Sequence, residues 1–176
     1  MTCKEFSMYE LFQNKINQKK SMAKPKADGE LSRLQRLLKG EIKRKFSSRL
    51  KLYIIDAGSC GACELELQAL FNPLYDAKSL GLEVVYDARE AEVLLLTGLL
   101  TENMYPICRD AYEQLREPKH VITIGDCMMF HAPFKDNFAI KGQANIHFLA
   151  ERHIVGCPPD PKALLRGILK HLEQLP

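Results

Sequence analysis

Leu52-Tyr53-Ile54-Ile55-Asp56-Ala57-Gly58-Ser59-Cys60-Gly61-Ala62-Cys63-Glu64 runs from an apolar segment into a loop of small residues that carries two thiols. Two cysteines separated by two residues can reach one metal centre without distorting the backbone. Gly58, Ser59, Gly61 and Ala62 let main-chain N–H groups approach whatever the sulfurs hold. Alone, such a pair is shared by redox dithiols, zinc sites and iron–sulfur sites. Two further cysteines narrow the choice. Cys127 follows Val121-Ile122-Thr123-Ile124-Gly125-Asp126, and Cys157 follows Ile154-Val155-Gly156 and precedes Pro158-Pro159. Four thiols at the ends of predicted strands form the full ligand set of one iron–sulfur cluster. A zinc ribbon usually draws on two closely spaced pairs rather than one pair and two remote singles. A thioredoxin-like dithiol would leave Cys127 and Cys157 without a reason, and simple burial of thiols in a core is the remaining alternative.

Outward from that loop, the chain from residue 51 alternates between strand and helix patterns. Strands are predicted at 51–56, 82–86, 92–97, 119–125 and 153–156, and helices at 61–72, 102–116 and 160–174. Several of the strands are continuous apolar runs, as in sheets covered on both faces. Alternation of this kind gives an α/β fold with a doubly wound parallel sheet and right-handed crossovers. Ligands in such sheets sit beyond the carboxyl ends of the strands, where Cys60, Cys127 and Cys157 fall. Cys63 lies a little further on, at the expected start of a helix, whose N–H groups and dipole favour an anionic group.

The 176 residues include 46% hydrophobic and 27% charged side chains, a balance that fits one ordinary globular domain. Six cysteines are too few and too scattered for a disulfide scaffold, and their placement after strands suggests a reducing compartment. No apolar run approaches the ~18 residues of a membrane span, and the N-terminus lacks the pattern of an export signal. A cytoplasmic location is expected. Charge is unevenly spread: residues 1–50 hold 13 Lys+Arg against 5 Asp+Glu, a net +8 within a total of +3. The expected division is a basic, helical N-terminal extension at 1–50 and the α/β domain at 51–176. Within the extension, residues 1–18 form a loosely amphipathic segment and 19–30 a linker. Leu31, Leu34, Leu37, Leu38, Ile42 and Phe46 fall at helical spacing across 30–46. That helix either packs on its own domain or a neighbouring subunit, or meets an anionic membrane surface. Nucleic acid is an unsupported partner, because no recognition module accompanies the charge.

The set Cys60-x-x-Cys63-Glu64, Cys127 after an apolar strand, and Gly156-Cys157-Pro158-Pro159 resembles the electron-transfer small subunit of nickel–iron hydrogenases. The same module is the 20 kDa cluster-bearing subunit of respiratory complex I. The likeness extends over about residues 50–175 and includes Asn72-Pro73-Leu74-Tyr75-Asp76-Ala77 and Ala91-Glu92-Val93-Leu94-Leu95-Leu96-Thr97-Gly98. In the complex I branch the first two ligands are adjacent cysteines; here Gly61-Ala62 separates them, as in hydrogenases. The resemblance implies a flavodoxin-like fold with one 4Fe–4S cluster on Cys60, Cys63, Cys127 and Cys157. It implies a hydrogenase-type large subunit, a ferredoxin-like iron–sulfur subunit and membrane subunits as partners, in a membrane-bound complex of formate-hydrogenlyase type on the cytoplasmic face. The chain itself would make no bonds. One departure stands out: Met128-Met129-Phe130-His131-Ala132-Pro133-Phe134 occupies the place of a glycine-rich turn. A complex I-like quinone or ferredoxin oxidoreductase subunit is the nearer rival, and a flavin-binding flavodoxin-like module the more distant one.

Of the remaining polar residues, Glu64 follows the second ligand and is expected to act as a first-turn carboxylate favoured by the helix dipole, with proton passage as the sharper alternative. Asp56 and Asp126 are expected to cap turns, and Asp160 to cap the last helix. His131 is expected to make loop contacts, and His153 to lie at a surface or interface. Cys108 is expected in the core, Cys3 is incidental, and Met128 and Met129 are expected to pack against the core or the large subunit.

Overall fold

The computed structural model describes residues 28–128 and 137–176. The expectations for Cys3, for residues 1–18, for most of the linker, and for Met129, Phe130 and His131 fall outside the described residues. The first element among the described residues is α1 (Gly29–Lys45), a helix that begins where the sequence supplies a cap. Asp28 is its N-cap, and the Asp28 carboxylate accepts a hydrogen bond from the Leu31 N–H at 2.7 Å, satisfying a donor that the first turn leaves open. Glu30 lies in the first turn and Lys43, Arg44 and Lys45 in the last, the distribution a helix dipole favours.

Five strands form one parallel sheet: β1 (Leu50–Asp56), β2 (Leu82–Val85), β3 (Val93–Thr97), β5 (His120–Ile124) and β7 (Arg152–Ile154), in the order β2-β1-β3-β5-β7. Counting these strands alone along the chain, the order is 2-1-3-4-5, that of flavodoxin-like sheets, with its reversal between β1 and β3. A small antiparallel pair, β4 (Leu100–Thr101) with β6 (Ile140–Gly142), stands beside it. The helices after α1 are α2 (Ala62–Ala69), α3 (Ala77–Leu80), α4 (Tyr105–Gln114), α5 (Ala144–Phe148) and α6 (Pro161–Gln174). The parallel sheet and its long helices match the sequence expectation. The short elements α3, β4, β6 and α5 were not expected from the pattern.

Side chains alternate across the sheet, as the pleat requires. Val93 and Leu95 face a core shared with α1, α2 and α6, whereas Leu94 and Leu96 face one shared with α4 and α5. Asp160 caps α6 by accepting from the Ala163 N–H at 2.6 Å.

The basic helix is part of this core. Leu31, Leu34, Leu38 and Ile42 are buried with strand and α6 side chains, so α1 packs on its own domain and its apolar stripe is not available to a bilayer. Polar contacts hold its ends: Asp28 with Lys162, Glu30 with Arg166 at 2.8 Å, and the Lys45 ammonium on the Leu172 carbonyl at 2.7 Å. The Gln35 amide donates to the Tyr75 carbonyl at 2.9 Å, joining α1 to the turn before α3.

Leu37 and Leu38 test this packing. Leu38 is fully buried and Leu37 is 47% exposed. Leu38→Ala is expected to destabilise the chain by about 3 kcal/mol, as a buried leucine truncation does. Leu37→Ala is expected to cost under about 0.5 kcal/mol. Urea midpoints of the two variants decide the point; equal shifts would detach α1 from the core.

Candidate metal centre at the carboxyl edge of the sheet

Parallel register brings the ends of β1, β3, β5 and β7 to one edge. Asp56 pairs with Thr97, Thr97 with Ile124, and Ile124 with Ile154. The loops that leave these strand ends then bond to one another. The Asp56 carboxylate accepts from the Gly58 N–H at 2.8 Å and from the Ser59 N–H, turning the chain sharply after β1. Asp126 N–H donates to the Gly156 carbonyl at 3.0 Å, while the Gly156 N–H donates to the Asp126 carboxylate at 2.7 Å. That reciprocal pair locks the Cys127 loop to the Cys157 loop. Asp56 therefore caps a turn, as expected, whereas the Asp126 carboxylate bridges two loops instead of capping its own turn.

The four expected thiols come together here. Cys63, on the first turn of α2, is buried, Cys127 is half-buried, and Cys60 and Cys157 are exposed. Burial, then the Glu64 carboxylate and the other three thiols, push the Cys63 thiol up to about 12. Burial and then Cys157, which is also its hydrogen-bond partner, raise the Cys127 thiol. Metal binding to thiols in this state would release their protons. Gly125 shows how closely the elements meet: a Cβ there would lie 2.9 Å from the Cys63 sulfur.

The spacing bears on which metal fits. A single zinc ion with Zn–S bonds of about 2.3 Å draws its sulfurs within about 4.6 Å of one another. Among the described residues, the trio of ligand atoms lying within 4.8 Å of each other is that of His120, Glu151 and His171, with no cysteine in it. Four thiols from three connections supply the donor number of a multi-iron group. Cys60 and Cys63 come from the connection between β1 and the first turn of α2, and Cys127 and Cys157 from the segments after β5 and β7.

Glu64 lies in the first turn of α2, where the dipole favours it. Its carboxylate accepts from the Ser59 hydroxyl at 2.9 Å and from the Thr97 hydroxyl. Thr97, fully buried at the end of β3, thus ties β3 to the loop that bears the first two cysteines. Sequence reasoning passed over Ser59 and Thr97 as hydrogen-bond partners. The signal available was a threonine closing an otherwise apolar strand. His153 is half-buried, with Nδ1 2.9 Å from the Thr123 hydroxyl oxygen; burial lowers its pKa. Cys108, on the inner face of α4, is buried in the core, as expected. A cleft of about 690 Å³ lined by Lys39, Lys43, Arg49 and Lys78 beside β2 includes none of the four cysteines.

The fold and site together define a flavodoxin-like domain with four cysteines at the carboxyl edge of its sheet. The chain belongs to the family described as NADH ubiquinone oxidoreductase, 20 Kd subunit, whose model matches residues 60–171. Formate hydrogenlyase subunit 7 of Escherichia coli K12 is 33% identical over 130 residues, 74% of this chain and 51% of that protein. An NADH-quinone oxidoreductase subunit of Carboxydothermus hydrogenoformans is 38% identical over 109 residues, 61% of this chain and 66% of that one. A probable membrane-bound hydrogenase subunit of Pyrococcus furiosus is 33% identical over 124 residues, 70% of this chain and 74% of that one. The chain thus spans about half the length of the first of these relatives and about two thirds of the second. Among solved structures, a chain of the membrane-bound sulfane sulfur reductase, an archaeal respiratory membrane complex, superposes with a TM-score of 0.65. It is 25% identical, and the match covers 77% of this chain and 74% of that one. No described helix is long and apolar enough to cross a membrane.

Two glycines allow the closeness at the cysteine edge to be measured. Both have left-handed backbones, φ +97° at Gly125 and φ +85° at Gly61, but a Cβ on Gly61 would meet nothing within 4 Å. Gly61→Ala is expected to cost about 1 kcal/mol from the backbone alone. Gly125→Ala adds the clash with the Cys63 sulfur and is expected to cost about twice as much. Chemical denaturation of both variants checks this; equal losses would mean that the Cys63 sulfur does not constrain the end of β5.

Proposed function

We propose that this chain is the electron-transfer subunit of a membrane-associated nickel–iron hydrogenase complex of formate-hydrogenlyase type. It holds one 4Fe–4S cluster through Cys60, Cys63, Cys127 and Cys157. Electrons pass between the nickel–iron site of a large subunit and a ferredoxin-like subunit, with the complex seated on the cytoplasmic face of the membrane. The observation that carries this reading is the meeting of four thiols, from three separate strand ends, at one edge of a parallel sheet. Four thiolates are the ligand complement of such a cluster.

When bound, the cluster supplies one-electron storage. The residues supply its setting. Burial of Cys63 against Gly125 gives a low-dielectric inner wall, and burial is one of the levers on reduction potential. The backbone at Gly61 and Ala62 opens α2 toward the sulfurs, so the positive end of the helix faces the anionic group. The outer wall is open. Cys60 and Cys157 are exposed, and beside them Leu65 and Val155 are 66% and 70% exposed. This apolar, thiol-bearing edge suits coverage by a large subunit that brings a second redox centre within reach. The role of the chain in the complex is conduction.

The complex I-like reading rests on a different observation, the 38% identity to an NADH-quinone oxidoreductase subunit. The separation of Cys60 from Cys63 by two residues favours the hydrogenase branch. Proton passage through Glu64, which accepts from the Ser59 and Thr97 hydroxyls, is compatible with either setting.

Anaerobic purification with partners, followed by low-temperature EPR, tests the assignment. About four iron and four sulfide per chain are expected, with a reduced-cluster signal. Cys60→Ser, Cys63→Ser, Cys127→Ser and Cys157→Ser are each expected to lose iron and signal, while Cys108→Ala keeps both. Full iron in any of the four would break the ligand set. Nickel in the co-purified large subunit supports the hydrogenase branch; quinone reduction by a nickel-free complex supports the other. The chain by itself is expected to turn over no hydrogen.

A further inference from the structure

At the opposite end of the sheet, a second group of ligand-type side chains gathers, unconnected to the cysteines. His120 opens β5, Glu151 immediately precedes β7, and His171 lies in the last turn of α6. Five residues of strand at about 3.3 Å each separate His120 from the loop that carries Cys127. The His120 Nδ1 is 2.8 Å from a Glu151 carboxylate oxygen, and the His171 Nε2 is 3.6 Å from the same oxygen. All three ligand atoms lie within 4.8 Å of one another. The two imidazoles meet edge to face, centroids 5.3 Å apart.

The arrangement leaves one buried group unexplained. His171 is 1% exposed, yet its Nε2 has no hydrogen-bond partner among the described residues. Buried ring nitrogens are ordinarily satisfied, and this one points at a carboxylate that His120 already engages. We propose that His120, Glu151 and His171 form a binding site for a divalent transition-metal ion of the zinc type, separate from the cysteine edge.

Donor chemistry and geometry support the site. Two imidazoles and one carboxylate are a familiar zinc set, with bonds of about 2.0–2.2 Å and a fourth position left to water. Ligand atoms sharing such an ion stand at most about 4.2 Å apart. Two of the three separations already meet that limit, at 2.8 and 3.6 Å, and the third is within 4.8 Å. The ion occupies Nδ1 of His120 in place of the hydrogen bond to Glu151, which puts the ring proton of His120 on Nε2. A metal ion takes an imidazole in its neutral form, and the unpartnered Nε2 of His171 is the atom that would ligate it. The cations whose charge reaches His171 are Lys45 and Arg152. Lys45 is engaged by the Leu172 and Leu175 carbonyls, and Arg152 by the Gln174 side chain. Glu151 is 42% exposed at its side chain and gives the ion a path from solvent. Bound there, the ion clips the end of α6 to the starts of β5 and β7.

The experiment uses the full chain purified anaerobically with its iron content measured, then equilibrated with Zn²⁺ alone. One zinc per chain is expected, and its X-ray absorption edge should report nitrogen and oxygen neighbours at about 2.0–2.1 Å. Glu151→Ala changes an exposed side chain and keeps the fold; it is expected to weaken zinc binding at least tenfold, as is His120→Ala. Cys60→Ser/Cys63→Ser is expected to leave this zinc in place. Sulfur neighbours at about 2.3 Å, unaltered zinc affinity in Glu151→Ala, or no zinc taken up by the iron-loaded chain would each overturn the proposal.

Discussion

The hydrogen-bond exchange between Asp126 and Gly156 is the constraint on which the cysteine edge depends. Parallel strands end in register, but register alone leaves their loops free to splay. Asp126 donates through its backbone and accepts through its carboxylate, each time to or from Gly156. That fixes the third and fourth cysteines against each other. Asp56 does the corresponding work within the first loop, and Thr97 with Ser59 and Glu64 ties that loop to the strand between them. Four sulfurs from distant parts of the chain are therefore held by short polar contacts just outside a dry core.

That core supplies rigidity from both sides. A sheet whose central strands are wholly buried, β3 and β5 above all, cannot shift one loop without moving its neighbours, because close-packed interiors transmit displacement. Helix α1 extends this stiffness. The basic charge of the first 50 residues suggested a separate arm, but within it Leu31, Leu34, Leu38 and Ile42 complete the layer of helices on one face. The charge remains on the outer surface, where Lys39 and Lys43 line the cleft beside β2. Electrostatic character and packing role belong to different faces of the same helix.

Much of the fold was legible because its strands are uninterrupted apolar runs, such as Val93-Leu94-Leu95-Leu96, that fit only a sheet covered on both faces. The cysteines were legible because each follows such a run through a glycine. What the sequence hid follows from physics as well. Elements of two to five residues, such as β4, β6 and α5, have no periodicity to read and exist only through tertiary contact. Asp126 could be assigned to a turn, but its partner 30 residues away could not, since a hydrogen bond across loops leaves no trace in spacing. The same holds for His120, Glu151 and His171, which share no motif and meet only because the starts of β5 and β7 lie beside the end of α6. Amphipathic spacing placed α1 correctly as a helix yet left its location open, because a stripe of leucines reads the same whether it meets a sheet, a neighbour or lipid.

The polar contacts between α1 and α6 also give the molecule a polarity. Asp28 and Glu30 meet Lys162 and Arg166 near the start of α6, whereas Lys45 reaches the carbonyls at its end. The two helices thus run side by side in the same direction, and Asp28 stands at the end of the domain where Cys157 leads into α6. Pro176 stands at the other. A probe or affinity handle fused after Pro176 would project away from the thiols, on the side of the domain where Lys45 meets the Leu172 carbonyl.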